Sequence, residues 1–200
     1  MTRIKGLKTT AEHLPYDEYL HLLEGLHKDG LYMWEVYCII SFCTAFRVTD
    51  VRELSWRMIL DRDEIMKLEK KTQKGRSIPV NEDIKKSIRE IYELLKCPDK
   101  NLPVICNPQT RLPYSREYIN RKLKWFKFKY KLRIKHFSTH TFRKTFGHYV
   151  YEYFGRSPEA LVLLNEIFNH ESMNVTKRYI GITREDINNV YNSLSLSVTR

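Results

Sequence analysis

The chain has 200 residues, enough for one domain, or at most two small ones, with a substantial core. Hydrophobic residues make up 42% and charged residues 30%, a balance that excludes wholesale disorder, and no apolar run is long enough to cross a bilayer. Lys and Arg outnumber Asp and Glu by 35 to 24, for a formal net charge of +11. This excess favours a polyanionic partner, with nucleic acid first, although a basic protein without such a partner is the alternative.

The cysteines bear on the cellular setting. The four of them show no C-x-x-C pair and no other spacing typical of a metal site, and Cys38 and Cys43 lie inside an apolar segment as small core residues. No cationic start is followed by an apolar stretch and a small-residue cleavage site. We therefore expect a reduced, cytoplasmic setting and no bound metal or other cofactor.

The first half of the chain is predicted to be mainly helical. Residues 1–12 are expected to form a tail or linker, and residues 13–200 one domain. Residues 31–45 are apolar almost all round, which predicts a buried central helix, and a shorter helix is predicted over 49–54. A helix that ends near Gly30 precedes them, and its predicted core face is Tyr16, Tyr19, Leu20, Leu23 and Leu26.

One segment departs from the helical pattern. Residues 65–69 and 77–80 are short strand-like runs on either side of the polar, basic stretch 70–76. This arrangement predicts a β-hairpin with a basic tip. Lys74 and Arg76, at that tip, are candidates for contacting nucleic acid.

The second half is predicted to be helical again. Asn81, Ser115 and Ser157 are each followed by helical periodicity and are predicted to cap helices, and further helices are predicted over 138–154, 174–179 and 183–194. The fold class is therefore expected to be mainly α with one small antiparallel β-sheet or hairpin (α+β). The helix after Ser115 has a basic outer face, on which five side chains are candidates for contact with a nucleic-acid backbone: Arg116, Arg121, Lys122, Lys124 and Lys127.

Arg47 stands where packing does not require an arginine. It follows the buried helix in the stretch Thr44-Ala45-Phe46-Arg47-Val48-Thr49-Asp50. An arginine at the end of a buried helix either pairs with a structural carboxylate, here Asp50, or faces a cleft and binds an anion. The residue by itself leaves both interpretations open.

His140 and Arg143 form a second basic cluster. They are three positions apart, so they share one face of the predicted helix, in its first turn. The helix dipole and the N–H groups of that turn favour an anion. H-x-x-R is a short pattern, and a solvated basic face is the competing interpretation.

Tyr179 follows His170 by nine residues. A tyrosine close to basic clusters is a candidate nucleophile, but amphipathic packing explains a tyrosine in this stretch equally well. The chain has 13 tyrosines, so composition does not choose between the two interpretations.

Together these residues suit a phosphoryl-transfer site without metal. Two arginines can clamp the non-bridging oxygens of a phosphate and stabilise the charge that develops on them. A lysine near the hairpin tip can protonate the leaving 5′ oxygen, and a histidine can assist proton transfer as a tyrosine attacks.

The order and spacing of these motifs resemble the tyrosine recombinase (phage integrase) family over about residues 10–194. Thr44–Trp56 is similar to the family's T-G-x-R-x-x-E-L…L-x-W, and Lys71–Pro79 to its K-x-x-K-x-R-x-h-P, in which h is apolar. His140–Arg143 matches H-x-x-R, and Leu164–Tyr179 is similar to L-x-x-x-L-G-H…T-x-x-Y. Each motif is weak alone, but all of them in order make a specific match.

The resemblance implies a role for each candidate. Asp50 would support the catalytic residues without contacting the phosphate itself. Lys74 is the alternative to Lys71 as general acid. The implied catalytic residues are Arg47, His140, Arg143 and His170 around the scissile phosphate, Lys71 as general acid and Tyr179 as nucleophile.

The resemblance also implies a fold and an activity. The expected fold is the tyrosine recombinase catalytic domain, and the expected reaction is site-specific cleavage and rejoining of DNA through a 3′-phosphotyrosine, without metal or ATP. The implied partners are a double-stranded recombination site and, on DNA, three further protomers. The unbound protein is expected to be a monomer or a weak oligomer, and its expected location is the cytoplasm, in the nucleoid. The alternatives are a type IB topoisomerase, a DNA-binding regulator derived from a recombinase, and a basic scaffold.

Three features depart from the family pattern. Ala45 and Asn169 stand where the pattern has glycine. Asn tolerates the left-handed backbone that such a glycine often adopts. Whether alanine is strained at position 45 depends on the dihedral angles of that residue. Only about a dozen residues precede the first predicted helix, where the family usually carries a core-binding domain. We expect a member with the catalytic domain alone, or a fragment, whose helix 183–194 packs on its own domain or is exchanged with a neighbouring protomer.

Overall fold

A computed structural model describes residues 11–68, 75–170 and 172–180. The chain divides into two compact units, residues 1–146 and 147–200. The first unit holds helices α1 to α6 and the sheet: α1 (Tyr16–Lys28), α2 (Tyr32–Thr44), α3 (Val48–Val51), α4 (Trp56–Leu60), β1 (Glu64–Leu68), β2 (Gly75–Pro79), α5 (Glu82–Leu94) and α6 (Arg116–Lys129). The division falls within α7 (Thr141–Tyr153), and α8 (Pro158–Phe168) and α9 (Met173–Tyr179) belong to the second unit.

Helix α2 is the centre of the first unit. Nearly all its side chains are buried, which confirms the predicted central helix, because an element that is apolar all round must be covered on every side. Its aromatic residues carry much of the packing. The Trp34 ring stacks on that of Tyr114, with centroids 5.8 Å apart, and meets the Phe126 ring of α6 edge-on at 5.4 Å.

The predicted hairpin is present as a two-stranded antiparallel sheet. Its register pairs Glu64 with Pro79 and Lys67 with Arg76. The β1 side chain of Lys67 forms a 2.8 Å ion pair with Glu53, which follows α3. Residues 69–74, which include Lys71 and Lys74, lie outside the described residues, as does the predicted helix 183–194.

The structure corrects the predicted core face of α1. Tyr16 and Leu20 are 45% and 42% exposed, whereas Leu22, which was not predicted to face the core, is fully buried. The buried stripe is Tyr19, Leu22 and Leu26, with spacings of three and four residues. Helix α4 was not predicted, since it is only five residues long and begins without a side-chain cap.

The predicted caps are confirmed. Asn81 Oδ1 accepts a hydrogen bond from the N–H of Asp83 at 2.8 Å, and Ser115 Oγ accepts one from Tyr118 at 3.1 Å. Ser157 Oγ accepts one from Ala160 at 3.2 Å, with proline at the first position of α8. Within the part of the chain that the structure describes, no helix is long and apolar enough to cross a membrane.

The second unit packs α7 closely on α8. A β-carbon added at Gly147 would lie 3.0 Å from the ring of Phe168, so glycine allows this approach. Phe168 is fully buried at the end of α8. Its ring therefore has a fixed position from which to support the residues that follow.

Candidate active site

A left-handed turn delivers Arg47. Helix α2 ends at Ala45, whose φ of 49° and ψ of 27° lie in the left-handed region, and the chain then extends through Arg47 into α3. A residue with a β-carbon is disfavoured there by about 1–2 kcal/mol, which explains why glycine suits this position. The turn nevertheless forms with alanine. Asp50 is fully buried in α3, and its N–H donates to the Arg47 carbonyl at 2.8 Å.

Arg143 is held by the same turn. It lies in the first turn of α7 and is only 2% exposed. Its Nη1 donates a 2.5 Å hydrogen bond to the carbonyl oxygen of Ala45. A buried guanidinium requires such acceptors, since burial of an uncompensated charge costs several kcal/mol.

Arg47, His140 and Arg143 line one pocket of about 360 Å³. Its lining residues are Phe46, Arg47, Val48, Thr49, Arg116, Thr139, His140 and Arg143. Among the described residues, this lining has three guanidinium groups and no carboxylate. The pocket is therefore built to attract an anion, and arginine forks match the oxygens of a phosphate.

The charge state of His140 follows from this setting. The side chain is exposed, but the protein atoms around its imidazole desolvate it and lower its pKa, and the positive charges of Arg143, Arg116 and Arg47 act in the same direction. The ring is therefore neutral at pH 7. A bound anion would counter these charges and favour the protonated ring.

The second unit brings His170 and Tyr179 together. Asn169 ends α8 in the left-handed region, with φ of 52°, as the sequence led us to expect for an asparagine in a glycine position. The rings of His170 and Tyr179 then lie 4.9 Å apart between centroids. Phe168 supports both rings, at 5.1 Å from that of His170 and 5.5 Å from that of Tyr179.

A hydrogen-bond chain orients His170. Its Nδ1 lies 2.9 Å from Thr176 Oγ1, and that hydroxyl donates to Asn165 Oδ1 at 2.9 Å. A hydroxyl has one hydrogen to donate, so it must accept from Nδ1–H. Nε2 is then the nitrogen with the lone pair in the neutral ring. Thr176 belonged to a predicted motif, but no sequence pattern indicated this hydrogen-bond relay from His170 through Thr176 to Asn165.

The predicted DNA-contact residues divide into two groups. On α6, Arg121 and Lys124 are exposed, and Lys122 and Lys127 are half-buried. Arg116 lines the pocket with Arg47 and Arg143, a position that helix periodicity could not predict. In the hairpin, the Arg76 side chain contacts two groups of the protein itself. Its Nη2 donates to the Thr44 carbonyl at 3.0 Å, and its guanidinium carbon lies 4.7 Å from the centre of the Phe46 ring.

No group of three or more His, Cys, Asp or Glu side chains within residues 11–68, 75–170 and 172–180 is arranged to hold a metal ion.

Comparison with known proteins identifies the family. The profile of the phage integrase family matches residues 12–185. The chain belongs to this family. The enzyme class of the chain is therefore that of the tyrosine site-specific recombinases, and the predicted resemblance is confirmed.

One relative and two structures illustrate the match. The probable integrase/recombinase YoeC of Bacillus subtilis (strain 168) is 31% identical over 153 residues, which cover 76% of this chain and 80% of YoeC. The XerH site-specific recombinase, bound to palindromic difH substrate in a post-cleavage complex, matches with a TM-score of 0.67 and 18% identity over 96% of this chain and 57% of XerH. A lambda integrase tetramer bound to a Holliday junction matches with a TM-score of 0.63 and 18% identity, over 100% of this chain and 54% of that protein.

These likenesses confirm the predicted fold class. The described residues, which are mainly helical with a two-stranded antiparallel sheet, have the fold of a tyrosine recombinase catalytic domain. The chain spans little more than half the length of XerH or lambda integrase.

Proposed function

We propose that this phage integrase family member cleaves and rejoins double-stranded DNA through a covalent 3′-phosphotyrosine at Tyr179. The observation that supports the proposal best is the pocket lined by Arg47, His140, Arg143 and Arg116, whose described lining residues include three guanidinium groups and no carboxylate. A scissile phosphate diester is the anion that such a pocket suits in a DNA-cleaving enzyme. The fixed orientation of Arg143 is what electrostatic stabilisation of a transition state requires.

The proposed reaction is a transesterification. The Tyr179 oxygen forms a bond to phosphorus as the bond from phosphorus to the 5′ oxygen breaks. The phenolic proton passes to a histidine, for which Nε2 of His170 is the candidate, and Lys71 gives a proton to the leaving 5′ oxygen. The 5′ hydroxyl of a partner strand then reverses these steps. Because the covalent link conserves the bond energy, we propose that neither ATP nor a metal takes part.

The basic face of α6 is proposed to contact the DNA backbone. Arg121 and Lys124 are exposed on it, and Arg116 connects this face to the pocket. Lys74, in the hairpin, is proposed as a further contact. Backbone contacts of this kind position a protein on DNA without specifying sequence, so we expect steeply salt-dependent binding.

Assembly on DNA is proposed by analogy with the relatives. The lambda integrase structure is a tetramer on a Holliday junction. We propose that four copies of this chain act on two recombination sites, because each exchange of duplexes requires four strand cleavages.

A suicide-substrate experiment tests the nucleophile. The cognate site is first selected from a random duplex library with the Tyr179→Phe protein, which keeps the pocket. A nicked duplex with that site then loses a short fragment after cleavage and traps the adduct, which is seen on a denaturing gel. Tyr153→Phe is the matched control, because Tyr153 is 76% exposed in the same unit.

We expect a covalent adduct with the wild type and with Tyr153→Phe, in the presence of a metal chelator, and none with Tyr179→Phe. An adduct that persists in Tyr179→Phe would refute the assignment of the nucleophile. Loss of the wild-type adduct in chelator would refute the metal-free reaction.

A further inference from the structure

A second basic pocket lies beside the segment that precedes His140. It has a volume of about 310 Å³ and shares no lining residue with the pocket of Arg47 and Arg143, which we call the arginine pocket. We call the second one the lysine pocket, because its lining includes Lys124, Lys127 and Lys135. Every residue that lines either pocket belongs to the first unit, so one compact unit sets their relative position.

The positive charges of the lysine pocket are not neutralised by the described residues. Within that part of the chain, none of its three lysines has a carboxylate at ion-pair distance, whereas Lys129 of the same helix pairs with Asp29 at 2.8 Å. Lys127 donates a 2.9 Å hydrogen bond to the Lys135 carbonyl, which joins two walls of the pocket. The Glu12 carboxylate accepts from the N–H of Lys135 at 2.9 Å and does not line the pocket. A concave site of this charge attracts an anion.

Helix α6 places the two pockets along one of its faces. Arg116 lines the arginine pocket, and Lys127 of the lysine pocket follows it by 11 residues. This interval is about three helical turns, so the two side chains leave the same side of α6, with Lys124 close to that side. At the helical rise per residue, the two lysines lie about 12–16 Å along the axis from Arg116.

Asn120 holds the separation of the pockets. It lies on the same face of α6, between Arg116 and Lys124. Its Nδ2 donates to the Arg116 carbonyl and its Oδ1 accepts from the N–H of Thr139, both at 3.0 Å. Thr139 lines the arginine pocket, and the preceding Ser138 lines the lysine pocket. The two pockets are thus built against one anchored segment, as two sites for one stiff ligand require.

We propose that the lysine pocket binds a second backbone phosphate of the DNA, about 12–16 Å from the scissile phosphate. The proposal rests on the proposed function, which places the scissile phosphate in the arginine pocket. Contacts to backbone phosphates fix the register of a protein on a duplex. Two phosphates held at a set spacing restrict how far the duplex can slide past the arginine pocket. The lysine pocket therefore helps to select the phosphodiester that is presented for cleavage.

Methylphosphonate substitution tests this site one phosphate at a time. It replaces a charged non-bridging oxygen with a methyl group and so removes the charge of a single phosphate. Cognate duplexes are prepared with one substitution each, at the scissile phosphate and at its neighbours on both strands. Their binding is measured with the Tyr179→Phe protein, alone or with Lys124→Gln or Lys135→Gln added, both at exposed positions. Lys86→Gln, at an exposed lysine of α5, is the matched control.

We expect Lys124→Gln and Lys135→Gln each to weaken binding of the unmodified duplex about 3- to 5-fold, as loss of one exposed charge contact does. Each should also lower the salt dependence by about one contact. One methylphosphonate near the scissile position, but not at it, should cost the parent protein a similar factor. On that duplex the lysine variants should bind within about 1.5-fold of the parent, because the two changes remove the same interaction. Lys86→Gln should match the parent on every duplex.

Three results would overturn the proposal. Equal losses by the lysine variants on every duplex would show that the lysines supply only a diffuse positive field. Insensitivity on the duplex modified at the scissile phosphate itself would assign them to the arginine pocket, and parent-like affinity of both variants would remove them from the DNA interface.

This test is independent of the nucleophile, because it measures binding alone. An adduct in Tyr179→Phe would refute the proposed cleavage and leave the binding comparison intact. Thermal melting checks that each variant is folded, and either lysine variant serves if the other is not.

Discussion

Replacing Thr176 with valine should break the hydrogen-bond relay that links His170 to Asn165 of α8. Valine has nearly the same shape as threonine, but it removes the hydroxyl that accepts from His170 Nδ1 and donates to Asn165 Oδ1, both at 2.9 Å. Thr176 is fully buried, whereas His170 and Asn165 are half-buried, so water compensates them only in part.

The expected loss of stability follows from these two hydrogen bonds. Each costs about 1 kcal/mol when its partner is removed, which gives about 2 kcal/mol for the pair. For a chain of this length, that lowers the Tm by about 4–8 °C. Cleavage of the suicide duplex should fall about 10- to 100-fold, because the His170 ring is no longer held in one orientation beside Tyr179.

Thr176→Ser is the matched control, since it keeps the hydroxyl and loses only a methyl group. We expect it to cleave at close to the wild-type rate. Thermal melting and adduct formation are measured on the three proteins at a temperature where all are folded. If Thr176→Val cleaves as fast as Thr176→Ser, the relay does not orient His170, and the reasoning is wrong.

Two further outcomes are expected. DNA binding by Tyr179→Phe should strengthen as pH falls, because a nearby phosphate raises the lowered pKa of His140. For an exposed group the gain in affinity is about 1 kcal/mol, or about 5-fold, and it is complete below the pKa of the unbound protein. His21→Gln, the control at an exposed histidine of α1, should keep this gain, and an equal gain in His140→Gln would contradict the prediction. Gly25→Ala should lower the free energy of unfolding by about 1–2 kcal/mol, since its β-carbon would lie 2.6 Å from the Tyr130 ring. In a protein that already carries Tyr130→Ala, the same substitution should raise the free energy of unfolding by about 1 kcal/mol, because only the better helix propensity of alanine remains. Urea titrations measure both effects.

Elements whose environment is uniform could be predicted from the sequence. Residues 31–45 are apolar on all sides, so no choice of face was needed, and the hairpin was recognisable from two runs around a basic stretch. Helix α1 was different. It has apolar residues at more positions than one face can cover, and only packing against its neighbours decides that Leu22 is buried and Leu20 exposed.

The candidate site was predictable where its residues stand in short motifs. His140 and Arg143 share a pocket with Arg47 as their order suggested, although the first of these is 93 residues from Arg47 in the chain. The partners of Arg76 were not predictable, because a basic hairpin residue gives no local sign that it will meet a carbonyl 32 residues earlier. The dihedral angles of Ala45 likewise required a structure.

The hydrogen bond between Arg143 and Ala45 means that the Arg143 side chain loses conformational entropy when the protein folds. A long arginine side chain loses up to about 2 kcal/mol of rotamer freedom when it is fixed. Because the Ala45 carbonyl already holds one arm of this guanidinium, that loss accompanies folding and not the arrival of DNA. If Arg143 binds the scissile phosphate as proposed, its guanidinium is oriented in advance, so a larger share of its interaction energy with the phosphate stabilises the transition state.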